Sequence, residues 1–182
     1  MDFYTGKGDI VAFEEIGERL KTFYENNLKF DSPFMLVIGT DSQNYSDRRH
    51  ETKIVTAICF LCEGHGGIFF YTTDYVKLIR DVRAKLHLET ARSLDTADKL
   101  LDILEKDEYS EIYLNSRFVL NIDAGYENSE YRNPKTHSGT EELIPGLVAW
   151  VNAMGYEAAV KPDSVAASSV ADKFSKKKKK KI

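Results

Sequence analysis

Apolar residues recur at helical spacing at Ile10, Phe13, Ile16, Leu20 and Phe23, until Asn26-Asn27 interrupts them, which predicts a first helix from Ile10 to Tyr24. Three strand-like runs come next, at about Phe34 to Asp41, Thr52 to Cys62 and Gly67 to Thr73. Polar or glycine-rich turns such as Glu63-Gly64-His65-Gly66-Gly67 separate them, so they read as an antiparallel meander. Val76, Ile79, Val82, Leu86, Ser93, Ala97, Leu100 and Leu104 then step by three, four or seven residues, the stripe of a long helix from Tyr75 to Lys106. Next come a strand from Glu111 to Asp123, a helix from about Glu142 to Met154, a short strand from Tyr156 to Lys161 and a final helix from Asp163 to Phe174. Ser138 and Glu141 resemble a capping box, but Pro145 inside that helix argues for a later start. The pattern thus predicts an α/β fold with a mixed five-stranded sheet, ordered β-β-β-α-β-α-β-α after an extra N-terminal helix.

Two of these strands end in a carboxylate where turn residues begin. Asp41 closes Met35-Leu36-Val37-Ile38-Gly39-Thr40, and Asp123 closes Phe118-Val119-Leu120-Asn121-Ile122. If the strands are parallel neighbours they run about 4.8 Å apart, and the two carboxylates could share a cation. Glu89 falls on the sheet-facing stripe of the long helix, where an unpaired carboxylate is costly, and neither Arg83 nor Lys85 is expected on its face. A cation held with Asp41 and Asp123 would satisfy it; a basic side chain from another element would also do so. Asp163 precedes a helix rich in Ala166, Ala167, Ser168, Ser169 and Ala171, small enough to lie close to the sheet. It is either an N-cap or a fourth ligand, with Asp172 as a competitor. Oxygen donors without clustered Cys or His favour Mg²⁺ or Mn²⁺ over zinc.

With 182 residues and 42% hydrophobic content the chain is expected to form one domain, 1–175, with a tail at 176–182. No signal peptide and no apolar run of the roughly 18 residues of a spanning helix are evident, so the expected location is the cytoplasm. Cys59 and Cys62 lie in one apolar run, where strand alternation sends them to opposite faces and makes a disulfide improbable. A metal or redox site at these cysteines, with His65, would lack a second ligand pair. The net charge of −4 hides an asymmetry: taking Lys176 to Lys181 from the 25 basic residues leaves 19 against 29 acidic, a body charge of about −10. Such a tail is either a solvated terminus or a contact for a polyanion. Tyr126 to His137 reads as an exposed loop beside the site, in which His137 could assist proton transfer. Asn44, Arg48 and Arg49 are within reach of a phosphate backbone or form a charged turn.

The pieces Ile38-Gly39-Thr40-Asp41-Ser42-Gln43, Glu89-Thr90 with Ser93-Leu94, Ile122-Asp123 with Gly125, and Lys161-Pro162-Asp163-Ser164 with Ala166-Ala167-Ser168 and Ala171-Asp172-Lys173 together span most of Phe34 to Lys176. In this combination the chain resembles the YkuK-like proteins, an uncharacterised family predicted to be ribonuclease H-like. The resemblance implies a ribonuclease H-like fold and an acidic metal site at Asp41, Glu89, Asp123 and Asp163. It departs from that family in its longer Tyr126 to His137 loop and its lysine tail. The expected activity is cleavage of phosphodiester bonds in RNA, DNA or a hybrid, with two cations activating a water and stabilising the leaving oxygen. The alternative is a catalytically inactive domain of the same fold that binds nucleic acid or protein.

Overall fold

The computed structural model describes residues 2–45, 50–125, 140–161, 163 and 166–175. Three strands of 12 residues form its centre: β3 (Phe34–Tyr45), β4 (Glu51–Cys62) and β5 (Gly66–Lys77). They are the expected meander, antiparallel and without a break in register from Phe34↔Cys62 to Tyr45↔Glu51 and from Cys62↔Gly66 to Glu51↔Lys77. The turn between β4 and β5 is made by Gly64 and Gly66, whose φ angles of 75° and 89° are strained for any residue with a Cβ.

β6 (Ser116–Gly125) lies parallel to β3, with Phe34↔Ser116 through Gly39↔Asn121 in register, and β7 (Glu157–Lys161) lies parallel to β6. The strands carrying Asp41 and Asp123 are therefore parallel neighbours. Between Ile122 and Gly125 the β6–β7 register shifts, so Asp123 sits in an irregularity that loosens it from the ladder.

The sheet has seven strands and not the expected five, in the order β2-β1-β5-β4-β3-β6-β7. The additional pair is a hairpin of β1 (Asp2–Thr5) and β2 (Ile10–Ala12), joined to β5 through Tyr4↔Tyr71. Its strands are only 4 and 3 residues long, and Ile10, Phe13 and Ile16 imitate a helical stripe across the 3-10 turn at Phe13–Glu15. The helix itself, α1, begins later, at Ile16–Asn27.

The long helix also begins later than its stripe suggests, at α2 (Val82–Leu104), with Asp81 accepting the Arg83 backbone N–H as its cap. Val76 belongs to β5 opposite Thr52, and the Ile79 N–H is held by the Thr52 hydroxyl at 2.8 Å. The expected strand from Glu111 is preceded by a short helix, α3 (Ser110–Asn115). α4 (Ile144–Ala153) starts with Pro145 in its first turn, where no backbone donor is lost. The last helix, α5, covers Ala166–Ser175. Ser46 to Arg49, Tyr126 to His137 and the lysine run lie outside the described residues.

The two faces of the sheet are built differently. Leu36, Ile38, Phe60, Leu120 and Ile122 point to one face, under α1, α2, α3 and α4. Val37, Val55, Ala57, Cys59 and Val119 point to the other, where Ala167 and Ala171 of α5 pack with no exposed surface. Small residues bring that helix down onto β3 and β4, as their spacing indicated. Cys59 and Cys62 are buried free thiols in opposite layers, and burial pushes the Cys59 thiol up to about 12.

Candidate active site

Alternation along β3 divides its C-terminal end between the two layers. Thr40 and Ser42 point toward α2: the Thr40 hydroxyl is 3.0 Å from that of Thr56 and 2.9 Å from that of Ser93. Ser42 donates to Glu89 Oε1 at 2.5 Å. Asp41 points the other way, and its Oδ2 accepts a hydrogen bond from the hydroxyl of Ser175, the last residue of α5. Asp123 lies two residues past Asn121 as Asp41 lies two past Gly39, the last pair in the parallel register. It is held by Lys161, whose Nζ is 2.7 Å from Asp123 Oδ1.

Glu89 is 8% exposed, inside the apolar layer as its place on the stripe implied. Burial pushes its carboxyl up to about 7; the Ser42 hydroxyl and the Lys85 charge oppose this, whereas Asp41 and Asp123 add to it. Lys85 thus acts on Glu89 after all, because residues four apart share a helix face, and its Nζ also donates to the Ser42 carbonyl at 3.1 Å. The Asp41 carboxyl is raised by burial too. The Ser175 hydroxyl counters that shift, Asp123 and Asp172 reinforce it, and the Ser42 backbone N–H lowers it. Burial is thus the main pressure on Asp41 and Glu89, and the charge of Asp123 adds a smaller push to both.

Asp163 is exposed in the turn after β7, its N–H bonded to the Val160 carbonyl at 2.9 Å. The acids that act on Asp41 are Asp123 and Asp172. Among the described residues no three His, Cys, Asp or Glu side chains are arranged to hold one metal ion together. The donor set of carboxylates nonetheless suits a hard cation. Each acid here has a different companion: Ser175 for Asp41, Ser42 for Glu89, Lys161 for Asp123.

Those companions were not anticipated from the sequence, although a signal for two was present. Ser42 is the residue after Asp41 and so must face the opposite layer, toward α2. Ala167, Ala171 and Ser175 recur every four residues, which places Ser175 on the face that α5 turns to the sheet. Asn44 is structural, donating to the Ile79 carbonyl at 2.8 Å and accepting from Thr52 at 2.9 Å. Asn121, 4% exposed, has no hydrogen-bond partner for its Nδ2 among the described residues.

A family model described as "Ribonuclease H-like" matches residues 15–176. The chain belongs to the ribonuclease H-like family. It is also 32% identical over 184 aligned positions to "Uncharacterized protein YkuK" of Bacillus subtilis (strain 168), covering 96% of each chain. No solved structure matches it. Among the described residues of this ribonuclease H-like chain, no helix is long and apolar enough to cross a membrane.

Proposed function

We propose that this ribonuclease H-like protein is a metal-dependent nuclease that cleaves phosphodiester bonds of RNA, DNA or a hybrid with Mg²⁺ or Mn²⁺, two ions being needed. The observation that carries this reading is geometric: Asp41 and Asp123 stand toward the ends of the parallel neighbours β3 and β6, and Ser42, next to Asp41, bonds Glu89 of α2. Asp41 and Glu89 are both raised chiefly by burial, a cost that a cation would relieve. When bound, the metal would supply an activated water and charge stabilisation at the leaving oxygen.

The chain's own residues have distinct parts in this reading. Asp41 and Asp123 present oxygens from adjacent strands. Glu89, held by Ser42, brings a third carboxylate from the opposite layer. Lys161 neutralises Asp123, and Ser175 occupies one oxygen of Asp41. Both must give way for those oxygens to turn to a ligand. Asp163 or Asp172 completes the set, and the pressure of Asp172 on Asp41 favours Asp172. The reading carries with it one domain over 1–175 and a cytoplasmic location.

A second reading, a binding domain without turnover, is favoured by the same companions, since Ser42, Lys161 and Ser175 satisfy the acids without a cation. Incubating the purified chain with Mn²⁺ and labelled RNA, DNA and hybrid separates the two. Cleavage is expected, and Asp41→Asn and Asp123→Asn should each reduce it to background while both variants remain folded. Wild-type turnover in both variants would remove the catalytic assignment.

A further inference from the structure

Among the described residues, two buried side-chain polar atoms have no hydrogen-bond partner: Ser116 Oγ and Asn121 Nδ2. Ser116 opens β6, opposite Phe34, at the far end of the strand from the acids. Asn121 stands just below them. It pairs with Gly39 of β3 and with Ala159 of β7, and Gly39 in turn pairs with Ala57 of β4. Ala57 and Ala159 belong to the layer that α5 covers, as does Val119 two residues before Asn121. The Asn121 side chain, on that same cross-strand row, is therefore in the layer of Asp41.

A buried donor without an acceptor costs the fold stability, so this amide calls for one. Its own row supplies none, because Gly39, Ala57 and Ala159 bring no polar side chain. Asp123 follows two residues on, about 6.6 Å along the strand, a gap that an asparagine and an aspartate leaning toward each other can close. The β6–β7 register shifts at that point, so Asp123 is not locked into the ladder. Its Oδ1 is held by Lys161 Nζ at 2.7 Å.

We infer that Asn121 is a positioning residue for Asp123, its Nδ2 donating to the carboxylate once Lys161 has released it to a divalent cation; this rests on the metal-dependent reading of the site. Lys161 cannot serve in that arrangement, because its ammonium charge opposes the cation it would stand beside. A neutral amide can. A carboxylate that binds a metal needs a donor from the protein to fix which oxygen it turns to the ion, and such a donor governs affinity without touching the metal. The small neighbours Gly39 and Ala159 leave the amide room to turn.

The test is Mn²⁺ binding by the full chain without nucleic acid, followed through the paramagnetic resonance signal of free Mn²⁺. Asn121→Leu and Asn121→Ala, which remove the donor with and without keeping its volume, should each weaken binding by about 10–100-fold. Asn121→Gln keeps an amide and should stay near the wild type. In EDTA, Asn121→Leu should raise the midpoint of urea unfolding, since an unpaired buried donor is gone, whereas loss of an amide that served only the fold would lower it. Wild-type affinity in both the leucine and the alanine variant would overturn the assignment and leave the nuclease reading standing. An equal loss in Asn121→Gln would make Asn121 a packing residue and overturn it too. A wild type that binds no Mn²⁺ would remove both. Weakened binding in the variants of a chain that cleaves no nucleic acid would support Asn121 and remove the nuclease reading.

Discussion

The two faces of the sheet solve the same burial problem with different materials. Under α1 to α4, large side chains such as Leu36, Phe60, Leu100 and Leu104 interlock with no exposed surface. Under α5 the fully buried contacts are made by Ala167 and Ala171, and ten residues of helix lie on β3 and β4 with the edges of β5 and β6. Glu89 is fixed in the thick layer and Asp41 lies under the end of the thin one. A site shared by both layers therefore has one wall of large interlocked side chains and one of small residues, whose end is tied to the sheet by Lys53 and Tyr45 on the carbonyls of Phe174 and Ser175.

The sharpest way to break this comparison is to weaken each layer in turn. Leu100→Ala removes a fully buried side chain and should cost about 2–5 kcal/mol in urea unfolding. Ala171→Leu instead wedges α5 away from Val37 and Cys59 and should cost about 1–3 kcal/mol. A greater loss at Ala171 than at Leu100 would show that the thin layer is the one that holds the fold.

Glu89 allows the wall of large side chains to be examined through pH. Its carboxyl ionises at about 7 in the folded chain against 4.5 for an ordinary glutamate. Below 4.5 both states keep the proton and stability is greatest; between 4.5 and about 7 the unfolded chain releases it first, and stability falls as pH rises. The loss, complete above about 7, is on the order of 3 kcal/mol without metal. Unfolding measured across that range in EDTA should show the decline in the wild type and a flatter profile in Glu89→Gln. An unchanged slope in the variant would place the titration elsewhere.

The smallest expected effect concerns the lysine run that follows Ser175 in the chain. If Lys176 to Lys181 contact phosphates, truncation after Ser175 should reduce the slope of log affinity against log salt on duplex DNA by about two to four units, at roughly 0.9 per contact. An unaltered slope would make the run a solubilising terminus.

Long, strictly patterned segments were legible in the sequence. The meander and the inward face of Glu89 arise from alternation or helical spacing that runs over many residues, whereas the parallel placement of β3 beside β6 entered only as a condition that the structure meets. Short elements were not: the strands of the β1–β2 hairpin are too short to be told apart from a helical repeat, and Ile10, Phe13 and Ile16 fit either period. Val76 and Ile79 misled for a related reason, since an apolar residue at the end of β5 and one in the turn after it happened to fall in phase with the helix behind them. At the candidate site, residue type singled out candidate acids but could not reveal their companions. The bond from Ser42 to Glu89 and that from Lys161 to Asp123 depend on which elements meet, and the choice between Asp163 and Asp172 depends on how far the last helix extends past β3.

The bond between Ser175 and Asp41 joins residues 134 positions apart. In a chain made from its N-terminus, β3, β4 and β5 can pair as soon as their turns emerge, because their contacts are local. α5 emerges only after β6 and β7. Asp41 is therefore made into a half-built sheet, and 134 further positions must follow before Ser175 can complete its surroundings. Order of synthesis thus separates folding of the scaffold from assembly of the site, and a nascent chain can carry a finished meander while its acids have yet to meet their last neighbour.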